Sequence, residues 1–457
     1  MSSSVEAPST TADRGPRTAG GLPEASLVDS LRVVVTGLLP TLVRGLFVPR
    51  KRAMKLLTAL NTDARAVAVL RDIRSKHGGQ GARLLGGRMA VVWGVDAIRE
   101  VLDQSAEVYD SGSGAKEKGM CHFQPEALTL SSGEDWRDRR AFNESVLASS
   151  TAAHPDGERF LAVVADEVER LRVGGAVKLD WDKFEELFDH ITLRVIFGDR
   201  SRGDQELTGL LETLMGEANR IVGVGEPTDE YYELYALLER KLADPEPGSL
   251  LARFADAPQT DRTRVTHQIP HWMFAMRDTL GANAYRALAA IAASPATEQA
   301  VRDEIEDVDL RDPEAVAGLR YLEGCLAEAM RLWPTTPLLA RETMRETTLA
   351  GDQLDEGTQV MLINAFNHRD TDEVPDADRF NPRRWESGEA DYRFNHLSNG
   401  TQNCPGGPLV YLLGKAVIAR MLDEYDLNLL EPELPMPGPL PEMLDFYAIR
   451  FDAAVRR

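Results

Sequence analysis

The residues with the clearest potential for chemistry lie between Phe394 and Leu413, in the segment FNHLSNGTQNCPGGPLVYLL. Cys404 stands near its centre, flanked by Gly400 and Gly406, and an apolar, helix-like run follows. A cysteine just before a helix meets free N–H groups and the positive end of the helix dipole, which favour thiolate over thiol. The flanking glycines let the backbone approach a large flat ligand and leave N–H groups that can donate to the sulfur. The segment suits one anionic sulfur on a metal, although a lone cysteine is more often a small buried hydrophobic residue.

Two further motifs precede this cysteine and favour the metal-binding interpretation. Glu328 and Arg331 occur in the helical segment YLEGCLAEAMRLWP, where residues i and i+3 share a face and can form an ion pair. The segment FNPRRW then brings Arg384 between that pair and Cys404. In this order and spacing the three motifs resemble those of the cytochrome P450 family of haem-thiolate monooxygenases. The resemblance extends from about residue 60 to the C-terminus. It implies that Glu328, Arg331 and Arg384 form a buried triad and that Cys404 is the proximal iron ligand.

The same resemblance implies haem b, iron protoporphyrin IX, as the cofactor. Trp136 and Arg140, in WRDRR, match a WxxxR helix that holds a haem propionate in the family, and Arg341 matches a further propionate partner. Two positions depart from the family pattern: Leu397 replaces the usual phenylalanine seven residues before the cysteine, and Gln402 replaces the usual arginine or histidine two residues before it. The predicted haem-binding residues are Trp136, Arg140, Ala275, Arg341, Leu397 and Gly406.

A long helix is predicted from about Thr263 to Ser294, because alanine and apolar residues dominate its second half. Its segment AMRDT resembles the oxygen-activation motif of the family, with Met276 in place of the usual glycine. The resemblance gives Thr279 the task of orienting protons at bound dioxygen and gives Asp278 the task of linking that step to solvent. The simpler alternative is that a threonine within a helix only bonds its own i−4 carbonyl. We also expect Pro270 to kink or open this helix.

Candidate substrate contacts come from three segments: the long helix, a loop earlier in the chain, and residues 337–340 (PLLA), which should project one or two apolar side chains into the pocket. His271 shares a helix stripe with Ala275 and Thr279, whereas Arg277 should face away from the haem. A loop of about twenty-five residues, from Tyr109 to Gly133, is long enough to be functional and matches a loop that covers the distal pocket in the family. The alternatives are a packed helix histidine and a mobile surface loop without a ligand. The predicted substrate pocket residues are His122, Phe123, His271 and Leu338.

The expected fold is mainly α-helical with small β-sheets. It is the cytochrome P450 fold, in which a long central helix crosses the haem within a triangular prism. Residues 83 to 105 predict two short strands around Gly86 and Gly87, followed by a helix. Residues 1–25 are predicted to be a disordered tail and residues 26–457 a single haem-thiolate domain. The stretch from Ser26 to Leu57 predicts a packed amphipathic helix, with peripheral membrane contact through the basic cluster at residues 50–52 as the alternative.

Composition limits the class of function. The chain has 457 residues, of which 43% are hydrophobic and 27% are charged, and its net charge is −21. This charge argues against nucleic-acid binding. The three cysteines are far apart in the sequence and fit a reducing cytoplasm rather than a disulfide framework. We expect no transmembrane segment and no secretory signal.

The function implied by the resemblance is a bacterial-type, cytoplasmic monooxygenase. It would use dioxygen to hydroxylate or epoxidise a lipophilic or aromatic small molecule, such as a natural-product intermediate of secondary metabolism. Because the chain shows no flavin or Fe–S module, a ferredoxin and a ferredoxin reductase are the expected electron donors. Arg137 and Arg139 are predicted to form a basic patch that binds an acidic carrier. The alternatives are a peroxide-using or atypical haem-thiolate enzyme that performs coupling or dehydration, and a non-catalytic haem sensor.

Overall fold

The computed structural model of the protein describes residues 21–45, 49–112, 114–171, 177–219, 226–388 and 391–456. These ranges are mostly helical and contain small β-sheets, which confirms the predicted fold class. Their α-helices are α1 (Leu27–Val33), α2 (Leu39–Arg44), α3 (Lys51–Ala59), α4 (Thr62–His77), α5 (Val95–Asp103), α6 (Gly114–Met120), α7 (Gly133–Val146), α8 (Gly157–Arg170), α9 (Trp181–Phe197), α10 (Gln205–Ala218), α11 (Asp229–Ala243), α12 (Ile269–Phe274), α13 (Gly281–Ala292), α14 (Pro295–Ile305), α15 (Pro313–Ala317), α16 (Arg320–Leu332), α17 (Asn364–Asn367) and α18 (Gly407–Glu424). Their strands are β1 (Gly81–Leu84), β2 (Met89–Val92), β3 (Tyr109–Asp110), β4 (Val177–Leu179), β5 (Leu339–Thr343), β6 (Thr347–Leu349), β7 (Asp352–Leu354), β8 (Gln359–Leu362), β9 (Tyr425–Glu431) and β10 (Arg450–Val455).

The largest sheet has the strand order β1-β2-β8-β5-β3, in which only β2 and β8 pair in parallel. The strands β1 and β2 are the predicted pair around Gly86 and Gly87, and α5 follows them as expected. In β5, Arg341 lies opposite Val360 of β8, so its backbone is fixed within the sheet. The strands β4, β10 and β9 form a second sheet, and β6 pairs with β7.

The long helix consists of α12, a π-helical segment at Ala275–Leu280 and α13. Every residue from Gly281 to Ile291 is buried, so α13 runs through the core. A π segment within an α-helix is frequent at functional sites, and here it coincides with the predicted AMRDT motif. Pro270 lies in the first turn of α12, where its missing N–H costs no helical bond. Pro270 therefore does not kink the α-helix but stands at its start, after a 3-10 turn at Val265–Gln268, so the α-helix begins later than the predicted Thr263.

The helix α18 meets the long helix at Gly414. A Cβ atom added there would lie 3.1 Å from Leu280 Cδ1 and 2.5 Å from Leu326 Cδ2, so only a residue without a side chain fits without movement of its neighbours. This close contact packs the end of the π segment against the helix that follows Cys404. The two predicted halves of the active site are thus held on elements that touch each other.

Two predictions about the N-terminal third need correction. The stretch from Tyr109 to Gly133 is not a continuous loop, because it contains β3, α6 and a 3-10 turn at Leu128–Leu130. The predicted tail boundary at residue 25 also lies too late in the chain. Leu22 and Ala25 are buried, and Glu24 forms a parallel bridge with Arg83. The rest of the predicted tail, residues 1–20, lies outside the described residues.

The segment from α1 to α2 packs on one side only. Val33 is buried in a cluster with Val67 and Leu70 of α4, as a packed amphipathic helix requires. Several apolar side chains of the same segment are exposed: Leu27, Val28, Leu31, Val35, Leu39, Leu42 and Val43. None of the described helices combines the length and the apolar character needed to cross a bilayer. Peripheral membrane contact stays a prediction.

Candidate active site

Cys404 lies in a tight turn immediately before α18. Its backbone N–H donates to the Leu397 carbonyl at 2.8 Å, and its own carbonyl accepts from the Gly407 N–H at 3.2 Å. Gly406 is the N-cap of α18, so the sulfur-bearing residue stands two positions before the cap. This is the arrangement expected from the sequence, with the cysteine at the mouth of a helix.

Gly400 and Gly406, the two glycines near Cys404, differ in why their positions suit a glycine. Gly400 has a φ of +67°, and a Cβ atom there would lie 2.3 Å from the carbonyl oxygen of Leu102 at the end of α5. Gly406 has a φ of −88°, and a Cβ atom there would lie 3.9 Å from Cys404 Sγ, which is an ordinary contact. Gly400 therefore fixes the loop against α5, while Gly406 leaves the surroundings of the sulfur open.

The protonation of the thiol differs from the expectation. Burial raises the pKa of the Cys404 thiol, and the Gly406 N–H and the positive charge of Arg140 offset this rise only in part. The Gly406 N–H acts in the direction expected for the mouth of a helix, but desolvation of the charged sulfur is the larger effect on the free side chain. A bound metal ion would remove the proton, since a coordinating thiol is deprotonated.

The structure brings together the three residues of the predicted triad. Glu328 and Arg331 are completely buried and form two hydrogen bonds, of 2.8 and 2.6 Å. Arg384 is more distant, with its Nε 3.5 Å from Glu328 Oε1. Burial alone would raise the pKa of Glu328, but the charge and hydrogen bonds of Arg331, with the charge of Arg384, lower it below its usual value.

Two partners of Glu328 were not identified from the sequence. Trp385 donates its indole N–H to Glu328 Oε2 at 3.0 Å, and the backbone N–H of Asn381 donates to Oε1 at 3.0 Å. Both residues belong to FNPRRW. The motif therefore marked the right segment, although a function was predicted from the sequence only for its Arg384. The opposite side of Arg331 donates to the carbonyls of His368 and Ala377, both at 2.7 Å.

Two cations at the predicted cofactor side lack an anionic partner. Arg341 is buried, and its guanidinium donates only to Ser105 Oγ at 3.0 Å and to its neighbouring carbonyl. Lys116 of α6, which the sequence did not single out, donates to the carbonyls of Ser111 and Thr129 at 3.0 and 2.7 Å. Neither forms an ion pair within the described part of the chain. Burial lowers the pKa of Arg341 to about 10 and that of Lys116 to about 7.

The charge of Asp110 offsets only part of the desolvation of these two cations, so a bound anion is their natural further partner. The two carboxylates of haem b would meet this requirement. The residues present thus fit a haem, with Cys404 as the ligand for its iron.

In the structure, Arg140 of α7 binds protein groups, whereas the sequence predicted that it holds a haem propionate. Arg140 donates to Glu144 Oε1 at 2.6 Å and to Asn403 Oδ1 at 2.6 Å, and so ties α7 to the loop of Cys404. Trp136 is half-buried, and its indole N–H has no partner among the described residues. The predicted roles of Trp136 and Arg140 towards a haem propionate stay predictions. Leu397, at the usual phenylalanine position, supplies the carbonyl that holds the Cys404 N–H.

The predicted basic docking patch loses one of its two members. Arg139 is buried and donates to Ser131 Oγ at 2.7 Å and to the Arg262 carbonyl at 3.0 Å. Its orientation into the protein was not recognisable from its place in a charged helix. Arg137 remains exposed.

On the long helix, the Thr279 hydroxyl has no partner among the described residues, whereas the Asp278 carboxylate forms an ion pair. The Thr279 hydroxyl makes no hydrogen bond to any described residue, so it does not bond its own helix as the simpler alternative supposed. Asp278 pairs with Arg277 at 3.1 Å. Arg277 also pairs with Glu212 at 3.0 Å, which confirms that Arg277 is directed towards neighbouring helices. Met276, at the usual glycine position, is buried.

Acidic residues outnumber the single arginine in this cluster. Burial raises the pKa of Asp278, although Arg277 lowers it. Burial together with the charge of Asp278 raises the pKa of Glu185, on α9, to about 7. Burial also raises the pKa of Asp189 to about 6, against the effect of Arg277. The cluster can therefore hold protons near neutral pH, next to the Thr279 turn.

The predicted pocket residues separate into three places. His271 lies within hydrogen-bond distance of Gln124, and the buried Phe123 packs edge-on against Phe274 at 6.4 Å. His122 instead lines a separate cavity of about 200 Å³ near α10 and α11. Leu338 packs in the cluster around Met361 and Phe366.

Comparison with known proteins agrees with this geometry. The model of the family described as cytochrome P450 matches residues 229–444. A probable cytochrome P450 4d20 of Drosophila melanogaster is 29% identical over 192 residues, which is 40% of this chain and 36% of that protein. Cytochrome P450 4V2 of Rattus norvegicus is 28% identical over 187 residues, which is 38% of this chain and 36% of that protein.

A longer match exists to cyclooctat-9-en-7-ol 5-monooxygenase of Streptomyces melanosporofaciens, which is 25% identical over 374 residues, or 75% of this chain and 80% of that protein. The match to the Drosophila and Rattus proteins spans little more than a third of their length. The fold and the site are those expected of a haem-thiolate protein, and residues 229–444 of the chain match the cytochrome P450 family. Haem b is the cofactor of that family.

Proposed function

We propose that the protein is a monooxygenase that uses haem b and dioxygen to hydroxylate or epoxidise a lipophilic or aromatic small molecule. The observation that carries the proposal is the contact between two elements. Cys404 precedes α18, and α18 packs at Gly414 against Leu280, at the end of the π segment that carries Thr279. Cys404 would hold a haem through its sulfur, and the bound group would then supply thiolate-assisted cleavage of the O–O bond.

The residues of this chain have distinct tasks in the proposal. Cys404 supplies the thiolate, and Arg341 and Lys116 hold the haem carboxylates. Thr279 orients a proton with its free hydroxyl, and Asp278 connects that hydroxyl with the carboxylates near solvent. The ion pair between Asp278 and Arg277 supports this task. It holds the Asp278 carboxylate beside the other carboxylates around Arg277, with which it can exchange protons.

The wider setting is also part of the proposal. A cytoplasmic enzyme with one catalytic domain at residues 26–457 would receive electrons from a ferredoxin and its reductase. The Streptomyces relative is named for the 5-monooxygenation of cyclooctat-9-en-7-ol, and that name supports a lipophilic natural-product intermediate as the substrate.

The first test is spectroscopic. The purified haem-loaded protein is reduced and exposed to carbon monoxide, and the long-wavelength Soret band of thiolate-ligated haem is expected. The Cys404→His variant serves as the matched control, because it retains an iron ligand but not the sulfur. The absence of the thiolate band in the wild type, or its persistence in Cys404→His, would refute the proposal.

A peroxide-dependent enzyme is the second candidate, and a specific observation favours it. Met276 is buried at the position where the family has glycine, next to the turn in which dioxygen would be activated. Turnover of a candidate substrate is compared between two conditions: hydrogen peroxide alone, and dioxygen with ferredoxin and reductase. Faster turnover with carriers supports the monooxygenase, whereas turnover confined to peroxide supports the second candidate.

A further inference from the structure

The helical segment from α1 to α2 exposes a stripe of aliphatic residues. The segment runs without a break from Leu27 to Arg44, through a π-helical stretch at Val34–Leu38. Its exposed residues, as distinct from the half-buried ones, are Leu27, Val28, Leu31, Val35, Leu39, Leu42 and Val43. Most of them recur three or four positions apart, so they form one aliphatic stripe along the helix. A contiguous apolar patch of this kind marks a surface that receives a partner.

The opposite side of the segment is fixed to the rest of the protein. Val33 is buried in a cluster with Leu70 of α4, and the Leu85 N–H donates to the buried Ser30 hydroxyl at 3.1 Å. At 1.5 Å per residue the segment is about 25 Å long, which is less than the apolar thickness of a bilayer, about 30 Å. A helix held in this way cannot cross a bilayer, but its exposed stripe can lie along the surface of one.

The basic cluster at residues 50–52 stands at the C-terminal end of the aliphatic stripe. Its three residues and Lys55 are exposed, in a chain whose net charge is −21. The Arg50 guanidinium donates to the carbonyls of Leu42 and Val43 at 3.2 and 3.0 Å, so it joins the basic cluster directly to the stripe. Arg52 and Lys55 form no ion pair with any residue that the structure describes, and their charges are therefore available to a partner.

The helix α3 combines the apolar and the basic character on one side. Arg52, Leu56 and Leu60, the last at its C-terminal end, are all exposed. Residues four positions apart lie on the same side of a helix, so the guanidinium and the two leucines share a surface. Arginine and lysine can lay their apolar stems on such a surface while the charged end reaches polar groups beyond it. This combination suits a partner that has an apolar layer beneath an anionic one.

Three occupants could cover the aliphatic stripe, and charge favours one of them. Residues 1–20 include no Leu, Ile, Phe or Trp, so they offer little apolar surface to the stripe. A second copy of the chain could present its own stripe, but the exposed residues of that stripe include no acid that would neutralise Arg52 and Lys55. A bilayer with anionic headgroups supplies both an apolar layer and negative charge.

We propose that the aliphatic stripe and the basic cluster form a docking surface for a bilayer that contains anionic lipid. The stripe enters the boundary between headgroups and acyl chains, and Arg52 and Lys55 contact lipid phosphates. The acidic remainder of the chain is repelled by the same headgroups, so this surface also fixes the orientation of the protein on the bilayer. The inference goes beyond the proposed function and does not depend on it, because the surface shares no residue with the Cys404 site.

The test is flotation of the full-length, haem-loaded protein with vesicles in a density gradient. One set of vesicles is phosphatidylcholine alone, and the other is phosphatidylcholine and phosphatidylglycerol in equal parts. The partition coefficient should be about tenfold higher on the anionic vesicles, as two cations near the surface allow. Raising the salt concentration should reduce this difference, because the lipid charge is then screened.

Two pairs of variants separate the apolar and the charged contributions. Leu31→Gln should lower the partition coefficient about fivefold on both kinds of vesicle, because one aliphatic side chain no longer enters the apolar layer. Leu430→Gln on β9 is its matched control, since Leu430 is 47% exposed and Leu31 is 52% exposed, and it should change nothing. Arg52→Gln should lower partition about fivefold on the anionic vesicles alone. The exposed Arg345 supplies the control Arg345→Gln, which should leave partition unchanged.

Two results would overturn the inference from the vesicles themselves: no flotation with either kind, or equal losses in Leu31→Gln and Leu430→Gln. Sedimentation velocity without vesicles provides a third. A dimer that Leu31→Gln dissociates would show that a second copy covers the aliphatic stripe instead. The carbon monoxide spectrum and the circular dichroism of each variant should match those of the wild type, because every substituted residue is exposed and away from the Cys404 site.

Discussion

The Cys404 side and the long-helix side of the active site differ in how completely their polar groups are paired within the protein. On the Cys404 side the backbone is fixed, with Gly400 against α5 and the buried Glu328 bonded to Arg331, Trp385 and Asn381. On the long-helix side, polar groups remain without partners, including the Thr279 hydroxyl and the Gln124 amide oxygen. The first side has the properties of a rigid mount for a cofactor, and the second those of a surface that receives ligands.

This difference separates stability from chemistry. Substitutions on the Cys404 side remove interactions that the folded chain already makes, so they should lower the free energy of unfolding. Substitutions of the unpaired groups on the long-helix side, such as the Thr279 hydroxyl, remove no interaction among the described residues, so they should change turnover while the fold persists. The following variants test this division.

The largest effect is expected for Glu328→Gln. Removing this carboxylate leaves the Arg331 guanidinium buried without a counter-charge, which should lower the free energy of unfolding by about 3–5 kcal/mol. Urea unfolding followed by circular dichroism measures the loss. Glu386→Gln is the matched control, because its pair with Arg383 is exposed and should contribute less than about 0.5 kcal/mol. Equal effects of the two variants would contradict the role of the triad.

A smaller loss is expected for Gly400→Ala, which combines a positive φ with a close contact to the Leu102 carbonyl. Gly351→Ala measures the cost of the positive φ alone, because Gly351 has a φ of +87° and no atom lies within 4 Å of its added Cβ. The control should lose about 1 kcal/mol, and Gly400→Ala about 2 kcal/mol more. Thermal or urea unfolding of both variants decides the comparison, and similar losses would mean that the loop can move away from α5.

Thr279→Ala should show the reverse behaviour. Because its hydroxyl makes no hydrogen bond within the described chain, its removal should change the free energy of unfolding by less than about 0.5 kcal/mol. The yield of product per dioxygen consumed should fall about tenfold, since a proton donor is lost. Thr279→Ser keeps the hydroxyl and should retain most of the yield. Unchanged yield in Thr279→Ala would remove Thr279 from the mechanism.

The smallest effect concerns pH and the acidic cluster beside Arg277. The pKa of Glu185 is raised to about 7, so its stabilising contribution is present below the usual glutamate pKa and is lost as the pH rises through 7. Relative to the wild type, Glu185→Gln should therefore gain on the order of 1 kcal/mol in stability between pH 5 and pH 8. Urea midpoints at both pH values measure this gain. The exposed neighbour variant Glu186→Gln should show no such difference.

The sequence determined the features that depend on short spacing. Glu328 and Arg331 are three residues apart on a helix, so their pairing followed from helical geometry. The place of Cys404 before α18 followed from the glycines and the apolar run after it. The separation of Arg277 from the pocket side of the long helix also followed from helical periodicity, and the structure confirms it.

Only the tertiary structure decided the features that depend on burial and on contacts between distant segments. Arg139 and Arg137 look alike in the sequence, yet only Arg139 is buried, because Ser131 and Arg262 meet it there. The unpaired charge of Lys116 and the raised pKa of the Cys404 thiol likewise arise from desolvation by elements far apart in the chain. Local spacing sets which side chains share a face, whereas desolvation depends on everything that folds around them.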